Sequence, residues 1–436
     1  MTEFENELNV WFENIHVGYL TCNECGYLDF LYSDDWLSHA KKFPISCSLP
    51  LTELEYKSDS YQSVANAFFV NLLPEGWNRE YVERLYGVPK DNNFLLIKAI
   101  GGDCAGALSI SEYEPHIDSD YQAIPESELK SLTSHTEYQK YLMDKKIKQR
   151  WSLAGAQNKV NVLFDQGHFY LPLGTSPSTH ILKFESIREN HATQFETLTT
   201  WIAQTVGLKV ANIEFQPILA SSVTLSERYD RYQRNGVIKR LHQEDFCQAL
   251  GYPNNKKYQT EGGPDFEKCV SLIRDKSTAA INDINQIIKW QLFNFIVGNS
   301  DAHAKNVSFL YDQENRIMLS PFYDFICTQA YPHINSDLAI HIAGSASRSH
   351  VGKHRWEQFA NNAGVKNTFI IKTLNELSDS IPNAFVSQRR RFEERYGVYH
   401  AFDNIEKVIQ KNIKIVERGM TIIGTKTPSK GIDTNN

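Results

Sequence analysis

Two short polar segments, separated by a predicted hairpin, constrain this chain more than any other feature. Gly298-Asn299-Ser300-Asp301-Ala302-His303-Ala304-Lys305-Asn306 offers a carboxylate with an amide five positions later. Ser320-Pro321-Phe322-Tyr323-Asp324-Phe325 offers a second carboxylate. Between them, residues 307–311 and 316–319 flank a turn at Asp312-Gln313-Glu314-Asn315, so the chain leaves on one strand and returns on the next. Transfer of a phosphoryl group to a hydroxyl needs a carboxylate that orients the hydroxyl and takes its proton. It also needs hard oxygen ligands for Mg²⁺. A tight loop places Asp301 and Asn306 on one side of a cleft, and the hairpin brings back Asp324 as a second metal ligand. An Asp-x₄-Asn pair alone recurs as a turn or helix cap. The order loop, hairpin, Asp is what turns the reading toward phosphate chemistry.

With 436 residues, the chain has room for two or three domains and a large core. Its 41% hydrophobic and 22% charged composition is that of a folded globular protein and excludes a disordered one. Residues 1–115 are expected to form an α+β domain, with strands at 8–12, 15–20 and 27–32 and helices at 65–73 and 94–100. Residues 116–150 read as a helical connector with a basic face. A β-rich small lobe follows over 151–240: a hairpin at 160–164 and 168–171, a strand at 179–184, a helix over 192–206, and strands at 213–215 and 222–225. That order matches a kinase small lobe. A helical lobe spans 241–424, and 425–436 reads as a polar tail. Asp283 with Gln286 three positions on resembles a capping box opening the helix that feeds the Asp301 loop.

Lys183 is the candidate phosphate-binding lysine, because a lysine near the end of an apolar strand needs an anionic partner. Glu196 on the following helix is the preferred partner, and Glu185 is a competitor. Ser152-Leu153-Ala154-Gly155-Ala156-Gln157-Asn158-Lys159 is a small-residue loop whose backbone N–H groups can approach phosphates. Lys159 either adds charge there or is solvated. His303 either donates to a phosphate oxygen or packs beneath the loop, and Lys305 can screen phosphate charge. Glu227-Arg228-Tyr229 offers backbone for an adenine edge, with Tyr229 beside the ring. Gly262-Gly263-Pro264 is a loop near substrate or a plain turn, and Arg389-Arg390-Arg391 reads as a solvated helix face. Seven cysteines, an odd number, argue against a disulfide framework. Cys22-Asn23-Glu24-Cys25 has no second ligand pair nearby and reads as a surface turn rather than a zinc site. A net charge of −7 disfavours autonomous nucleic-acid binding. No apolar run approaches the ~18 residues of a membrane span, and the acidic N-terminus is no secretory signal, so a cytoplasmic protein is expected.

Taken in order, Ser152–Lys159, Thr179-His-Ile-Leu-Lys183, Glu227-Arg-Tyr-Asp-Arg231, Gln243-Glu-Asp-Phe-Cys-Gln248, Asp301-Ala-His-Ala-Lys-Asn306 and Pro321-Phe-Tyr-Asp324 resemble the HipA serine/threonine kinases, toxins of bacterial type II toxin–antitoxin pairs. Ser46–Leu51, Asn71-Leu-Leu-Pro-Glu75 and Gly101–Gly106 look like that family's N-terminal domain. The resemblance implies Asp301 as catalytic base and Asn306 and Asp324 as Mg²⁺ ligands. It implies Ala154, Gly155, Ala156, Gln157, Asn158, Lys159, Lys183, Glu227, Tyr229, His303 and Tyr323 around ATP, with Ser152 as an autophosphorylated serine. It further implies a small helix-turn-helix, HipB-like antitoxin that carries the pair to operator DNA. The target implied is an aminoacyl-tRNA synthetase, such as the glutamate enzyme (glutamyl-tRNA synthetase). The sequence departs from the family at Asn158, where some members carry Glu, and at Ala302, where Gly is common.

The expectation is therefore an α+β fold: a two-lobed, protein-kinase-like domain preceded by an N-terminal α+β domain. The expected activity is an ATP- and Mg²⁺-dependent protein serine/threonine kinase. The alternatives are a catalytically silent co-repressor scaffold and a small-molecule phosphotransferase.

Overall fold

The computed structural model describes residues 6–115, 120–125, 127–129, 159–185, 190–218 and 221–420. Strands β1 (Glu7–Phe12), β2 (Ile15–Cys22), β3 (Leu28–Tyr32), β4 (Glu55–Tyr56) and β5 (Leu108–Ser111) form an antiparallel sheet in the order β4-β3-β2-β1-β5. Period-two patterning builds it: Leu8 and Val10 on β1, and Leu28, Phe30 and Tyr32 on β3, all face the core. Helices α1 (Asp34–Ser38), α2 (Val64–Val70), α3 (Gly76–Tyr86) and α4 (Asn93–Ile100) accompany this sheet. The apolar run from Ala65 to Val70 makes α2 a buried helix.

Strands β6 (Asp120–Ala123), β7 (Lys159–Asp165), β8 (His168–Leu173), β9 (His180–Phe184), β10 (Ile213–Ile218) and β11 (Ser221–Glu227) form the second sheet, ordered β10-β11-β9-β7-β8-β6. Helix α5 (Ala192–Thr205) packs against β10 and β11. This is the β-rich small lobe. Its own core gathers Val160, Val162, Leu171, Leu182, Val223 and Leu225, and Tyr81 of α3 joins it.

A separate hairpin, β12 (Arg231–Arg234) and β13 (Val237–Arg240), follows. Strands β14 (Gln243–Asp245), β15 (Ser308–Tyr311) and β16 (Ile317–Leu319) form a small sheet in that order. The helices are α6 (Phe246–Ala249), α7 (Phe266–Lys276), α8 (Ala280–Val297), α9 (Lys353–Ala363), α10 (Asn367–Tyr396) and α11 (Phe402–Met420). α8 is the spine, in contact with α7, α10 and α11. The expected capping box at Asp283 is not formed. α8 starts three residues earlier, after Ala279, and Asp283 sits inside its first turn. The Asp283 carboxylate instead accepts from Ser277 Oγ (2.5 Å) and the Leu319 N–H (2.9 Å), tying the helix start to β16.

The chain is thus an α+β protein of two lobes preceded by a sheet-and-helix unit, and a buried ionic network ties that unit to the segment over 178–240. Asp103, from the Gly101–Gly106 segment, faces Arg228 (3.2 Å), Arg231 (2.8 Å) and Arg240 (3.3 Å), and accepts from Ser178 Oγ (2.6 Å). Asp230 completes the network with Arg228 at 2.8 Å. Burial works against the Asp103 charge, but the three guanidiniums outweigh it and hold the carboxyl far below the ordinary range. Asp230 and Arg231 are therefore both held in this network.

All seven cysteines are free thiols. Cys22 and Cys25 bracket a turn built by Asn23, whose Oδ1 accepts from the Cys25 and Tyr27 N–H groups, each at 3.1 Å. Arg389 pairs with Glu393 (2.8 Å) and Asp403 (2.7 Å), and the Arg391 guanidinium lies 4.0 Å from the Trp201 ring centre. That charge run is hence partly spent on packing α10.

Candidate active site

A cleft of about 1230 Å³ separates the small and helical lobes. Its floor is the Asp301 loop. α8 ends at Gly298 with φ +75°, where a Cβ would stand 2.4 Å from Val408 Cγ1, so only glycine turns the chain here. The loop then folds on itself. The Asp301 N–H donates to Asn299 Oδ1 (3.0 Å), while the Asp301 carbonyl accepts from Asn306 Nδ2 (2.9 Å) and the His303 N–H (2.9 Å). The buried Arg348 guanidinium holds the loop from beneath, donating to the carbonyls of Phe295 (3.1 Å), Asn299 (2.8 Å) and Ser336 (2.6 Å) and to Ser300 Oγ (3.0 Å). Burial pushes Arg348 down to about 10. Ala302 is not among the described residues with positive φ, so its departure from Gly carries no backbone strain.

The Asp301 carboxylate is 50% exposed and turned into the cleft. One of its oxygens accepts the Tyr258 O–H. His303 Nε2 lies 3.9 Å from the same oxygen, and its ring meets the Tyr258 ring edge-on at 5.3 Å. Burial lowers the His303 pKa, so the ring is neutral at neutral pH. His303 thus packs under the loop and also lines the cleft.

Asp324 takes φ +57°, a left-handed conformation that Asp tolerates better than most residues. Its carboxylate meets the Lys183 ammonium, which also pairs with Glu196 at 2.5 Å. Glu185 does not compete. It lies beyond β9 and accepts from the Ala192 N–H (2.6 Å) and Thr193 Oγ1 (2.8 Å) at the start of α5. Burial alone would raise Asp324, but Lys183, with Lys159 behind it, holds its pKa below the ordinary value. Burial opposes the Lys183 charge, and Asp324 and Glu196 more than restore it. Lys159 pairs in register with Lys183 across β7 and β9, so the two project from one face. Burial, with the Lys183 charge adding to it and Asp324 opposing, pushes Lys159 down to about 8.

At the lobe junction, Glu227 ends β11, with its Oε2 accepting from Asn212 Nδ2 at 2.8 Å. Tyr229 and Tyr323 stack with ring centres 6.0 Å apart. The Tyr229 O–H donates to Gln243, and the Tyr323 O–H donates to the Lys305 carbonyl at 2.7 Å. Lys305 lines the cleft, yet its ammonium is turned to the N-terminal unit: Glu75 lies at 2.9 Å and Asn71 Oδ1 at 2.8 Å. Glu75 also binds Lys257 at 2.7 Å.

Asp301, His303, Lys305, Asn306, Tyr323, Asp324, Lys159, Lys183, Glu227 and Tyr229 all line this one cleft. Ser152, Ala154, Gly155, Ala156, Gln157 and Asn158 lie outside the described residues. Two cleft residues, Glu75 and Tyr258, and Arg348 beneath the Asp301 loop went unread as site residues. Glu75 was visible only as part of Asn71-Leu-Leu-Pro-Glu75, while Tyr258 and Arg348 carry no motif signal at all.

The donor set fits a nucleotide-borne Mg²⁺. Among the described residues, no three His, Cys, Asp or Glu side chains gather into a metal cage. Asp324 supplies a carboxylate, 38% exposed, and the bond from Asn306 Nδ2 to the Asp301 carbonyl leaves Asn306 Oδ1 for a cation. One carboxylate and one amide are what Mg²⁺ needs when phosphates and water supply its other ligands.

Known proteins resemble this chain over most of its length. The profile of the HipA-like C-terminal domain matches residues 151–385, and that of the HipA N-terminal domain matches residues 8–111. The Sinorhizobium fredii protein Y4mE is 36% identical over 86% of this chain and 90% of its own length. The serine/threonine-protein kinase toxin HipA of Shewanella oneidensis is 30% identical over 81% of this chain and 82% of its own. HipA in the solved Shewanella oneidensis complex of HipA, HipB and operator DNA superposes with a TM-score of 0.79 at 26% identity, covering 94% of this chain and 97% of that one.

Proposed function

The chain belongs to the HipA family, and from that premise we propose that it is an ATP- and Mg²⁺-dependent protein serine/threonine kinase, the toxin of a toxin–antitoxin pair. The observation that carries this is the meeting of Lys183, Glu196 and Asp324 across the cleft from the Asp301–Asn306 loop. An acceptor hydroxyl attacks the γ-phosphorus, the bond from that phosphorus to its bridging oxygen breaks, and ADP leaves. Asp301 orients the hydroxyl and takes its proton. Lys183 has three N–H donors. Two go to Glu196 and Asp324, and the third is left for a nucleotide phosphate. Asn306 and Asp324 are the protein ligands for Mg²⁺, which when bound neutralises charge on the transferring group. Lys159, near its neutral point, adds positive charge beside Lys183. Tyr229 and Tyr323 wall the nucleotide side.

Self-inactivation at Ser152 belongs to the same reading. A phosphate there adds about −1.5 to −2 charges to a segment assigned to ATP by the family resemblance, and that charge disfavours nucleotide binding. The partner is a HipB-like helix-turn-helix antitoxin. With a net charge of −7, the chain reaches operator DNA mainly through that antitoxin. The acceptor in the cell is an aminoacyl-tRNA synthetase, such as the glutamate enzyme. Cytoplasmic action is part of the same proposal; among the described residues no helix is long and apolar enough to cross a membrane. Expression of wild type and Asp324→Ala tests the proposal. Wild type should arrest growth, Asp324→Ala should not, and co-expressed antitoxin should relieve the arrest. Equal arrest by a folded Asp324→Ala chain would refute it.

A further inference from the structure

We propose that Tyr258 holds the acceptor-hydroxyl position at Asp301 until an acceptor displaces it, and keeps water out of that position meanwhile. The inference rests on the reading of Asp301 as the base. Its ground is a single contact: the Tyr258 O–H donates to an Asp301 carboxylate oxygen inside the cleft. That is the bond a base offers an incoming serine or threonine hydroxyl.

The tyrosine is fixed in place rather than loosely laid on the surface. It sits between two short 3-10 turns, Asn254–Lys256 and Gln259–Glu261. Behind it, the Gly263 N–H donates to the Tyr258 carbonyl at 3.0 Å. A Cβ on Gly263 would stand 2.4 Å from the Lys256 carbonyl oxygen and 2.7 Å from that of Tyr258, so only glycine lets the segment close this tightly. On one side, Lys257 pairs with Glu75 of the N-terminal unit at 2.7 Å. On the other, the Gln259 N–H donates to the Ala339 carbonyl at 3.0 Å. The same Glu75 binds Lys305 in the Asp301 loop at 2.9 Å. One carboxylate from the N-terminal unit therefore anchors both the segment that carries the hydroxyl and the loop that receives it. Burial and the facing Asp301 charge raise the phenol pKa, so the group remains a donor at every working pH.

Two consequences separate this role from a structural one. With the hydroxyl removed, water takes its place against that Asp301 oxygen, so acceptor-free ATP hydrolysis should rise. A protein acceptor then no longer competes with a charge-assisted hydrogen bond, whose loss corresponds to about tenfold or more in acceptor KM. The test uses the full chain carrying Ser152→Ala, so that self-inactivation does not stop turnover, with Mg-ATP and no added acceptor, measuring ADP released beyond one per chain, with self-phosphorylation of the Ser152 chain as the reference activity. Tyr258→Phe should raise multiple-turnover ADP release about tenfold with Mg-ATP affinity unchanged, and Asp301→Ala in that background should abolish the rise. Gly263→Ala, whose Cβ would clash with the Lys256 and Tyr258 carbonyls and displace the Tyr258 segment, should shift ADP release the same way. Unchanged or reduced release by both variants, alongside normal Asp301-dependent self-phosphorylation in wild type, would overturn the Tyr258 role and leave the kinase reading standing. Phosphate on Tyr258 itself, found by mass spectrometry, would also overturn it, since the residue would then be an acceptor. Self-phosphorylation that ignores Asp301 would instead sink the underlying reading.

Discussion

Replacing Glu75 by Gln removes one charge from the point where the N-terminal unit meets the Asp301 loop. The Glu75 side chain is 13% exposed and sits between Lys305, 4% exposed, and Lys257, 17% exposed. A Gln fills the same volume but leaves both ammoniums without their main counter-charge. Breaking a buried pair in this way costs about 3–5 kcal/mol. The low end applies here, because Lys305 keeps Asn71 Oδ1 at 2.8 Å and a distant Asp245 carboxylate at 3.9 Å. The expected loss is about 3 kcal/mol at pH 7, read by urea unfolding with tryptophan fluorescence. The pH dependence supplies a second check. Burial would raise the Glu75 pKa, but Lys305 and Lys257 override it and hold it far below the ordinary carboxylate range. A depressed carboxylate stabilises the fold fully above its unfolded pKa and loses that contribution as pH falls through the folded one. The gap between wild type and Glu75→Gln should hold from pH 7 to 5 and close progressively in more acidic buffer. A gap under about 1 kcal/mol at pH 7, or one that widens toward pH 3, would refute the reasoning.

Other perturbations follow from the same geometry. Arg348→Met removes the donors beneath Phe295, Asn299 and Ser336, leaves buried carbonyls unpaired, and should cost about 2–4 kcal/mol in the unfolding assay. It should lower kcat more than nucleotide affinity. Lys183→Met should weaken ATP binding in equilibrium titration at least tenfold, because the phosphates lose an ammonium donor and Glu196 is left without its ion-pair partner. Ser152→Ala should bind ATP normally yet stay active through prolonged incubation with it, as followed by phosphopeptide mapping.

The sequence was most legible where chemistry and backbone signals coincide. Asp301, Asn306 and Asp324 stand on a loop and a hairpin whose turn residues are local, and β15 and β16 form as the Asp312–Asn315 turn requires. Lys183 and Glu196 were readable because a strand lysine needs a partner, and α5 presents Glu196 to it at 2.5 Å. Tertiary partners were not legible. Asp283 looked like a helix cap from its neighbours, but its bonds go to Ser277 and Leu319. Lys305 read as a phosphate contact until Glu75, from a distant segment, claimed its ammonium. β12 and β13, with Arg231-Tyr232-Gln233-Arg234 and Val237-Ile238-Lys239-Arg240, lack the apolar alternation that reveals strands. Arg348 reaches Ser300 from 48 residues away, a distance over which periodicity says nothing.

The central claim is that Asp301 accepts the proton in a phosphate transfer carried out in this cleft. Its most direct test is transfer of labelled γ-phosphate from Mg-ATP by purified wild type and by Asp301→Ala, both shown folded by circular dichroism. The account predicts label on protein with wild type and none above background with Asp301→Ala. Equal labelling by the two would contradict it.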